Sequence, residues 1–500
     1  MFKKYGGVLL FIIFLLVLGL RLYFAFSTPY FSSDDAYFNL RQIEHIKETK
    51  LPLFNDDLSY GANQFIFSPV FHYIVAFFTL FMPVNIAAKL IPNIFSASTV
   101  FFAYLIANKL TKSRGIGIFI AFFSGFVPIF FADLNNISVY SLVFPLILLL
   151  VYLFMNIKSN LYWYILVLVF LSFLHPFVLV FCLGLLVYQV LLIMGNVRQK
   201  GAELEISLFS VFFVLWAQFI LYKKLFLFHG YSVIWQNIPA SLLSEHFSSI
   251  NALEAIYMVG VIPLIYGIYL IFRYLFKENR KDVYLFISFA LVIGFLLWLR
   301  LIEFRIGLMF LGLVLVLLFA QYFKLFVLYI KQTRASSFLP LFVCFLICVF
   351  IVSSVVPSWA LADYAVDRYI SEEEIDALRW IRDKTDKNAV VVAPVREGNL
   401  ITAIAKRKNV VDSYFFLHND VEQRLKDVEK IFISSFEIEV VDLMNKYDAD
   451  YIYLSSEARR TFNINFLDYF SSGKCFEKVY GNDEVSIYHK LESCMLKVVG

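Results

Sequence analysis

An α-helical protein that crosses a membrane about eleven times and ends in a soluble α/β domain is predicted by three features of the sequence. Of its 500 residues 60% are hydrophobic and only 16% charged, too few charges to cover a water-exposed surface of that size. Apolar runs of about 17 to 25 residues, the length that spans roughly 30 Å of hydrocarbon, recur through the first three-quarters of the chain. Charge then gathers after residue 357. The net charge of +4 is carried by short clusters between apolar runs, which argues for membrane topology and against a nucleic-acid partner.

The first run, 8–26, follows Lys3 and Lys4, is long for a secretory leader and lacks a small-residue cleavage site, so it reads as a retained anchor. Basic clusters at Lys109, Lys112 and Arg114, at Lys158, at Arg198 and Lys200, from Arg273 to Lys281 and from Lys324 to Arg334 belong in the cytoplasm. The loops between them hold the acids and histidines and belong outside. That alternation survives only if 65–81 does not span, so this stretch is expected to lie along the outer surface, with 86–108 as the second true span. The resulting division is a membrane domain, 1–357, with external loops 28–85 and 229–255, followed by an external domain, 358–500. The protein is thus expected in the cell membrane, multi-pass, with a cytoplasmic amino terminus.

In the tail, Ser371 followed by three glutamates through Glu374 is a capping box that opens a helix to Lys384. The stretches 389–393 (Ala-Val-Val-Val-Ala) and 451–454 (Tyr-Ile-Tyr-Leu) read as buried strands. Cys475 and Cys494 lie in this tail and pair as a disulfide if it faces an oxidising compartment; Cys182, Cys344 and Cys348 lie in apolar runs as small hydrophobes.

Five places carry charged or titratable side chains where chemistry at a bilayer surface would need them. Asp34 and Asp35 follow the first span, and paired carboxylates there suit a hard divalent cation shared with substrate phosphates, or simply a polar border. Asp133, with Asn135 and Asn136, is a second external acid or an ordinary asparagine-rich turn. Glu245 and His246 sit in the loop 229–254, and His175 precedes Pro176 at the outer end of a span. Arg300, Glu303 and Arg305 mark the entry to a late span, where a guanidinium can hold phosphate oxygens or pair with the glutamate.

In this order the segments resemble the catalytic subunit of oligosaccharyltransferase, a GT-C type membrane glycosyltransferase. Asp35-Ala-Tyr-Phe-Asn39-Leu-Arg41 is similar to that family's first-loop acidic motif, Ser244-Glu245-His246 to the end of its Ser-Val-Ser-Glu motif, and Arg305 to its phosphate-contacting arginine. The tail from Ala377 through 389–392 resembles the approach to its acceptor motif, and the likeness extends to about Ser455. Two departures stand out: Pro394-Val-Arg396-Glu397-Gly398 replaces Trp-Trp-Asp-Tyr-Gly, and the second acidic motif is reduced to Asp133-Leu-Asn135.

The resemblance implies inverting transfer of a glycan from a polyprenyl-phosphate or polyprenyl-diphosphate donor to a protein or glycan acceptor outside the membrane. It assigns Asp35 and Glu245 to catalysis, Asp35, Asp133 and Glu245 to Mg²⁺ or Mn²⁺, and Arg305 to the donor phosphate. Arg41, His246, Arg396 and Glu397 are candidate substrate contacts. Competing expectations are a monosaccharide transferase with a glycan acceptor, a non-catalytic scaffold in glycan assembly, and a transporter, which the scarcity of ionisable residues within the spans disfavours.

Overall fold

The computed structural model describes residues 2–197, 201–230, 251–415, 417–470, 475–491 and 494. Among the described residues seven helices are long and apolar enough to cross a bilayer: Tyr5–Ala25, Val84–Thr111, Ile157–Leu174, Gly201–His229, Lys281–Trp298, Phe304–Lys331 and the run Arg334–Lys384. Leu253–Val259 and Val261–Phe276 would make an eighth, bent by 96° at Gly260, whose φ of +98° only glycine adopts without strain. Three shorter apolar helices, Arg114–Gly125, Tyr140–Met155 and Val178–Met194, complete the bundle.

Burial sorts the spans. Phe304–Lys331 has 83% of its apolar window inside the protein and forms the centre, while Tyr5–Ala25 with 22% and Arg334–Lys384 with 11% form the lipid-facing rim. Within 65–81 the only helix is Val70–Phe78, nine residues and roughly 13 Å long, less than half a bilayer core. It does not span, as the charge pattern requires. The last apolar helix continues through a π-helical turn, Ile351–Val355, into Val356–Asp367, so the helical rod outlasts the compositional change at residue 358.

The tail is a sheet domain. Strands β1 (Asn55–Asp56) and β2 (Asn63–Gln64) form a small ladder between the first two spans. Strands β3 (Val390–Val392), β4 (Lys408–Asn409), β5 (Tyr451–Leu454), β6 (Phe476–Gly481) and β7 (Ser486–Lys490) make one sheet in the order β4-β3-β5-β7-β6. β3 pairs in parallel with β4 and β5, and β7 runs antiparallel to β5 and β6. Helix Glu372–Lys384 starts at the expected cap, where the Glu374 amide donates to Ser371 Oγ at 3.1 Å. The uninterrupted valines of β3 are buried on both faces, as a central parallel strand requires. Cys475 and Cys494 are joined as a disulfide.

This domain docks on the segment between the first two spans through dense polar contacts. Ser59 Oγ donates to Asp412 Oδ2 (2.6 Å), the Tyr60 amide to Asn409 Oδ1 (2.7 Å), and Tyr60 Oη to the Asp412 carbonyl (2.8 Å). In return the Asn409 amide donates to the Leu58 carbonyl (2.9 Å), and Tyr414 stacks on Phe38 with ring centres 3.7 Å apart.

Candidate active site

The two adjacent acids open helix Asp34–Thr49, capped by Ser33, whose Oγ accepts the Ala36 amide at 3.3 Å. A helix N-terminus favours negative charge, but neighbouring residues project about 100° apart. The pair therefore divides. Asp34 turns to the sheet domain, accepting Asn399 Nδ2 at 2.6 Å and the Leu400 amide at 3.0 Å. Asp35 accepts Ser413 Oγ at 2.9 Å. Burial first, and then Asp35, lift the Asp34 carboxyl well above the usual range, while its two donors pull the other way.

Asp133 ends the short helical stretch Pro128–Asp133, and its Oδ1 accepts Asn136 Nδ2 at 2.8 Å. The next residues lock this turn to the first loop. Asn135 Nδ2 donates to Ser32 Oγ (2.7 Å) and the Tyr30 carbonyl (3.0 Å), while Asn39 Nδ2 bridges the carbonyls of Asp35 and Ile137, each at 2.9 Å. His72 Nε2 meets Asn39 Oδ1 at 2.7 Å and fixes the amide. Beneath them Lys89 Nζ, buried, donates to the carbonyls of Ala25 (2.7 Å), Thr28 (2.6 Å) and Tyr30 (3.2 Å).

The third contribution comes from the start of Phe304–Lys331. Glu303, its N-cap, has a carboxyl pushed up to about 7 by burial, then by Asp35 and Asp133, with Arg305 opposing. Asp35, Asp133 and Arg305 thus each lie within electrostatic reach of Glu303, although they come from three distant stretches of chain. Such a set can hold a phosphate on the arginine and accept a proton on a carboxylate.

Other expected residues are placed elsewhere. Arg41 holds Asp56 bidentately at 2.5 and 2.6 Å. Arg396 is exposed and 3.9 Å from Glu457. Glu397 is buried, accepts Ser455 Oγ at 2.9 Å, and is lifted well above the carboxylate range by burial and then by Glu374. His175, at the C-cap of Ile157–Leu174, packs its ring 4.8 Å from Tyr140. Glu245 and His246 lie outside the described residues. Among the described residues no three His, Cys, Asp or Glu side chains are close enough to hold a metal ion, so Asp35 and Asp133 do not by themselves complete the expected Mg²⁺ or Mn²⁺ site. Asn39, Asn399 and Ser413 were not singled out from sequence; of these only Asn39 carries a local signal, its place within the first-loop motif.

No family model matches the chain, and no curated protein matches it. Solved structures do. Archaeal oligosaccharyltransferase AglB from Archaeoglobus fulgidus, in complex with an inhibitory peptide and a dolichol-phosphate, superposes with a TM-score of 0.67 at 14% identity, covering 100% of this chain and 76% of that one. ArnT from Cupriavidus metallidurans bound to undecaprenyl phosphate gives 0.54 at 10% identity over 98% of each chain. The arabinofuranosyltransferase AftD from Mycobacteria gives 0.56 at 15% identity over 96% of this chain and 40% of that one. The chain is a multi-pass membrane protein of GT-C fold with a C-terminal sheet domain.

Proposed function

We propose that the protein is a membrane glycosyltransferase that takes a sugar from a polyprenyl-phosphate or polyprenyl-diphosphate donor and passes it to an acceptor at the external face of the bilayer. What supports this most is that Asp35, Asp133 and Arg305, from three separate stretches of chain, all act on Glu303 at the start of an apolar span. A lipid-anchored phosphate, a sugar and a water-borne acceptor can come together only at such a boundary. The fold neighbours with dolichol-phosphate and undecaprenyl phosphate bound add weight to that donor class.

In the reaction the bond from the anomeric carbon to the phosphate oxygen breaks, and the phosphate leaves with the electron pair while the Arg305 guanidinium neutralises the growing charge. The acceptor atom attacks from the opposite face, giving inversion. Its proton passes to a carboxylate, and Asp35 or Glu303 can take it. Asp35, Asp133 and Glu245 would together hold Mg²⁺ or Mn²⁺ and screen the donor phosphates; no step above depends on that ion.

A glycan acceptor is favoured over a peptide by one observation. Where the oligosaccharyltransferase family has its tryptophan motif, Arg396 faces Glu457 and Glu397 is turned into the domain core toward Ser455. We further place the amino terminus in the cytoplasm and the sheet domain outside, which the basic clusters and the Cys475–Cys494 disulfide support.

The test is transfer by the purified protein from polyprenyl-linked sugar donors to peptide and to glycan acceptors. Asp35→Ala and Arg305→Ala should each lower turnover by about a hundredfold or more while the protein stays folded. Undiminished transfer by Asp35→Ala would sink the mechanism; transfer to peptide alone would sink the acceptor assignment.

A further inference from the structure

We infer that Asp34 is a positioning residue: with Asn399 and Ser413 it makes the sheet domain part of the active site by seating that domain on the loop that carries Asp35. This rests on the glycosyltransferase reading and extends it. The two acids are neighbours in sequence, yet their partners differ in kind. Asp34 binds the first turn of the helical segment 398–405, taking both a side-chain amide, Asn399 Nδ2, and a main-chain amide, Leu400 N. Asp35, one residue on, is held by Ser413 Oγ. Asn399 Nδ2 also donates to Ser413 Oγ at 3.0 Å, so the three contacts form one chain from Asp34 through Asn399 and Ser413 to Asp35.

The geometry on the domain side leaves little play. Gly398 packs so closely on the 409–415 loop that an added Cβ would lie 2.3 Å from the Val411 carbonyl oxygen. Asn409 Nδ2 donates to the Gly398 carbonyl (2.9 Å) and to Asp412 Oδ2 (3.0 Å), coupling the segment that Asp34 grips to the loop that presents Ser413. A shift at Asp34 is therefore transmitted to Asp35, whose own backbone carbonyl is already fixed by Asn39. The side chain of Asp35 is then oriented from the sheet domain and its backbone from the membrane domain.

The experiment uses the full-length protein in detergent or bilayer. Asp34→Ala and Asn399→Ala should each lower kcat by about ten- to thirtyfold with the donor KM within about twofold of wild type, because the donor phosphate is held by Arg305. The exchanged pair, Asp34→Asn with Asn399→Asp, keeps one donor facing one acceptor and should recover at least a third of the lost rate, whereas Asp34→Asn alone offers a single amide oxygen to two donors, Asn399 Nδ2 and the Leu400 amide. Amide hydrogen exchange over 398–415 supplies a readout independent of transfer: Asp34→Ala should speed it at least tenfold, and Asp35→Ala should change it less than threefold. Unchanged exchange in Asp34→Ala, or an exchanged pair no better than Asp34→Asn, overturns the positioning role. An active Asp35→Ala with the expected exchange pattern overturns the glycosyltransferase mechanism and leaves the docking role standing.

Discussion

Replacing Gly398 by alanine tests how tightly the sheet domain is seated. The new Cβ would lie 2.3 Å from the Val411 carbonyl oxygen, 2.4 Å from Asp412 Cβ and 2.7 Å from Asp412 Cα. Comfortable contacts begin near 3.5 Å, and the obstructing atoms belong to or adjoin the backbone, so no rotamer change relieves them. Either the 398–405 segment or the 409–415 loop must move by about an ångström. Overpacking of this kind costs about 1 to 3 kcal/mol. The same shift strains the bond from Asn409 to the Gly398 carbonyl and the two that Asp34 accepts, each with a net value of about 1 kcal/mol. A total near 3 kcal/mol should lower the melting temperature of the sheet domain by about 10 °C for a unit of this size. Intrinsic fluorescence of the purified protein during heating measures it, with Gly294→Ala as the control, since a Cβ there meets nothing within 4 Å. A Gly398→Ala protein that melts within 2 °C of wild type, by the ~3 kcal/mol estimate above, would refute the claim of close approach.

Glu303→Gln should remove a pH dependence. The folded carboxyl keeps its proton up to about 7, whereas the unfolded one releases it near 4.5, so stability falls as pH rises through that window and is level above it; the glutamine variant should show no such slope in melting temperature against pH. Arg41→Ala takes the guanidinium from Asp56, 1% exposed, leaving the Leu58 amide on its Oδ1 at 3.0 Å, and should destabilise by about 3 kcal/mol; the double variant with Asp56→Ala should be milder, as a double-mutant cycle in denaturant would reveal. Cys475→Ser should lower sheet-domain stability by about 3 kcal/mol, and in the wild-type protein maleimide should reach Cys475 and Cys494 only after reduction. Labelling of these cysteines in intact cells without reductant would contradict the external placement of the tail.

Much of the architecture was written in local pattern. Apolar run length gave the spans, and alternation of basic loops removed 65–81 from among them, because bilayer thickness and charge transfer act on any stretch wherever it folds. Ser371 and Glu374 announced a helix start, and the valines at 390–392 a buried strand, because caps and period depend on neighbours in sequence. The site was legible only as an inventory of charges. Asp35, Asp133 and Arg305 could be named from the resemblance, but it gave Asp34 no role; the two acids part because a helix turns about 100° per residue, and Asp34 meets Asn399 and Leu400 of the sheet domain. Arg41 was a candidate substrate contact because it closes the first-loop motif, and the structure satisfies it with Asp56, a partner fifteen residues on that no periodicity picks out. Glu303 carried a signal, an acid beside two arginines at a span entry, but its closeness to Asp35 is a product of helix packing alone.

The bonds that close the site join residues far apart in translation order: Asp34 with Leu400 is a separation of 366, and Ser59 with Asp412 one of 353. During synthesis the first loop therefore waits while every span is threaded, and its acids lack their final partners until the last quarter of the polypeptide has emerged and folded. A product that stops short of residue 398 lacks the partners of Asp34 and Ser59, so the first loop is completed only once the sheet domain has been made.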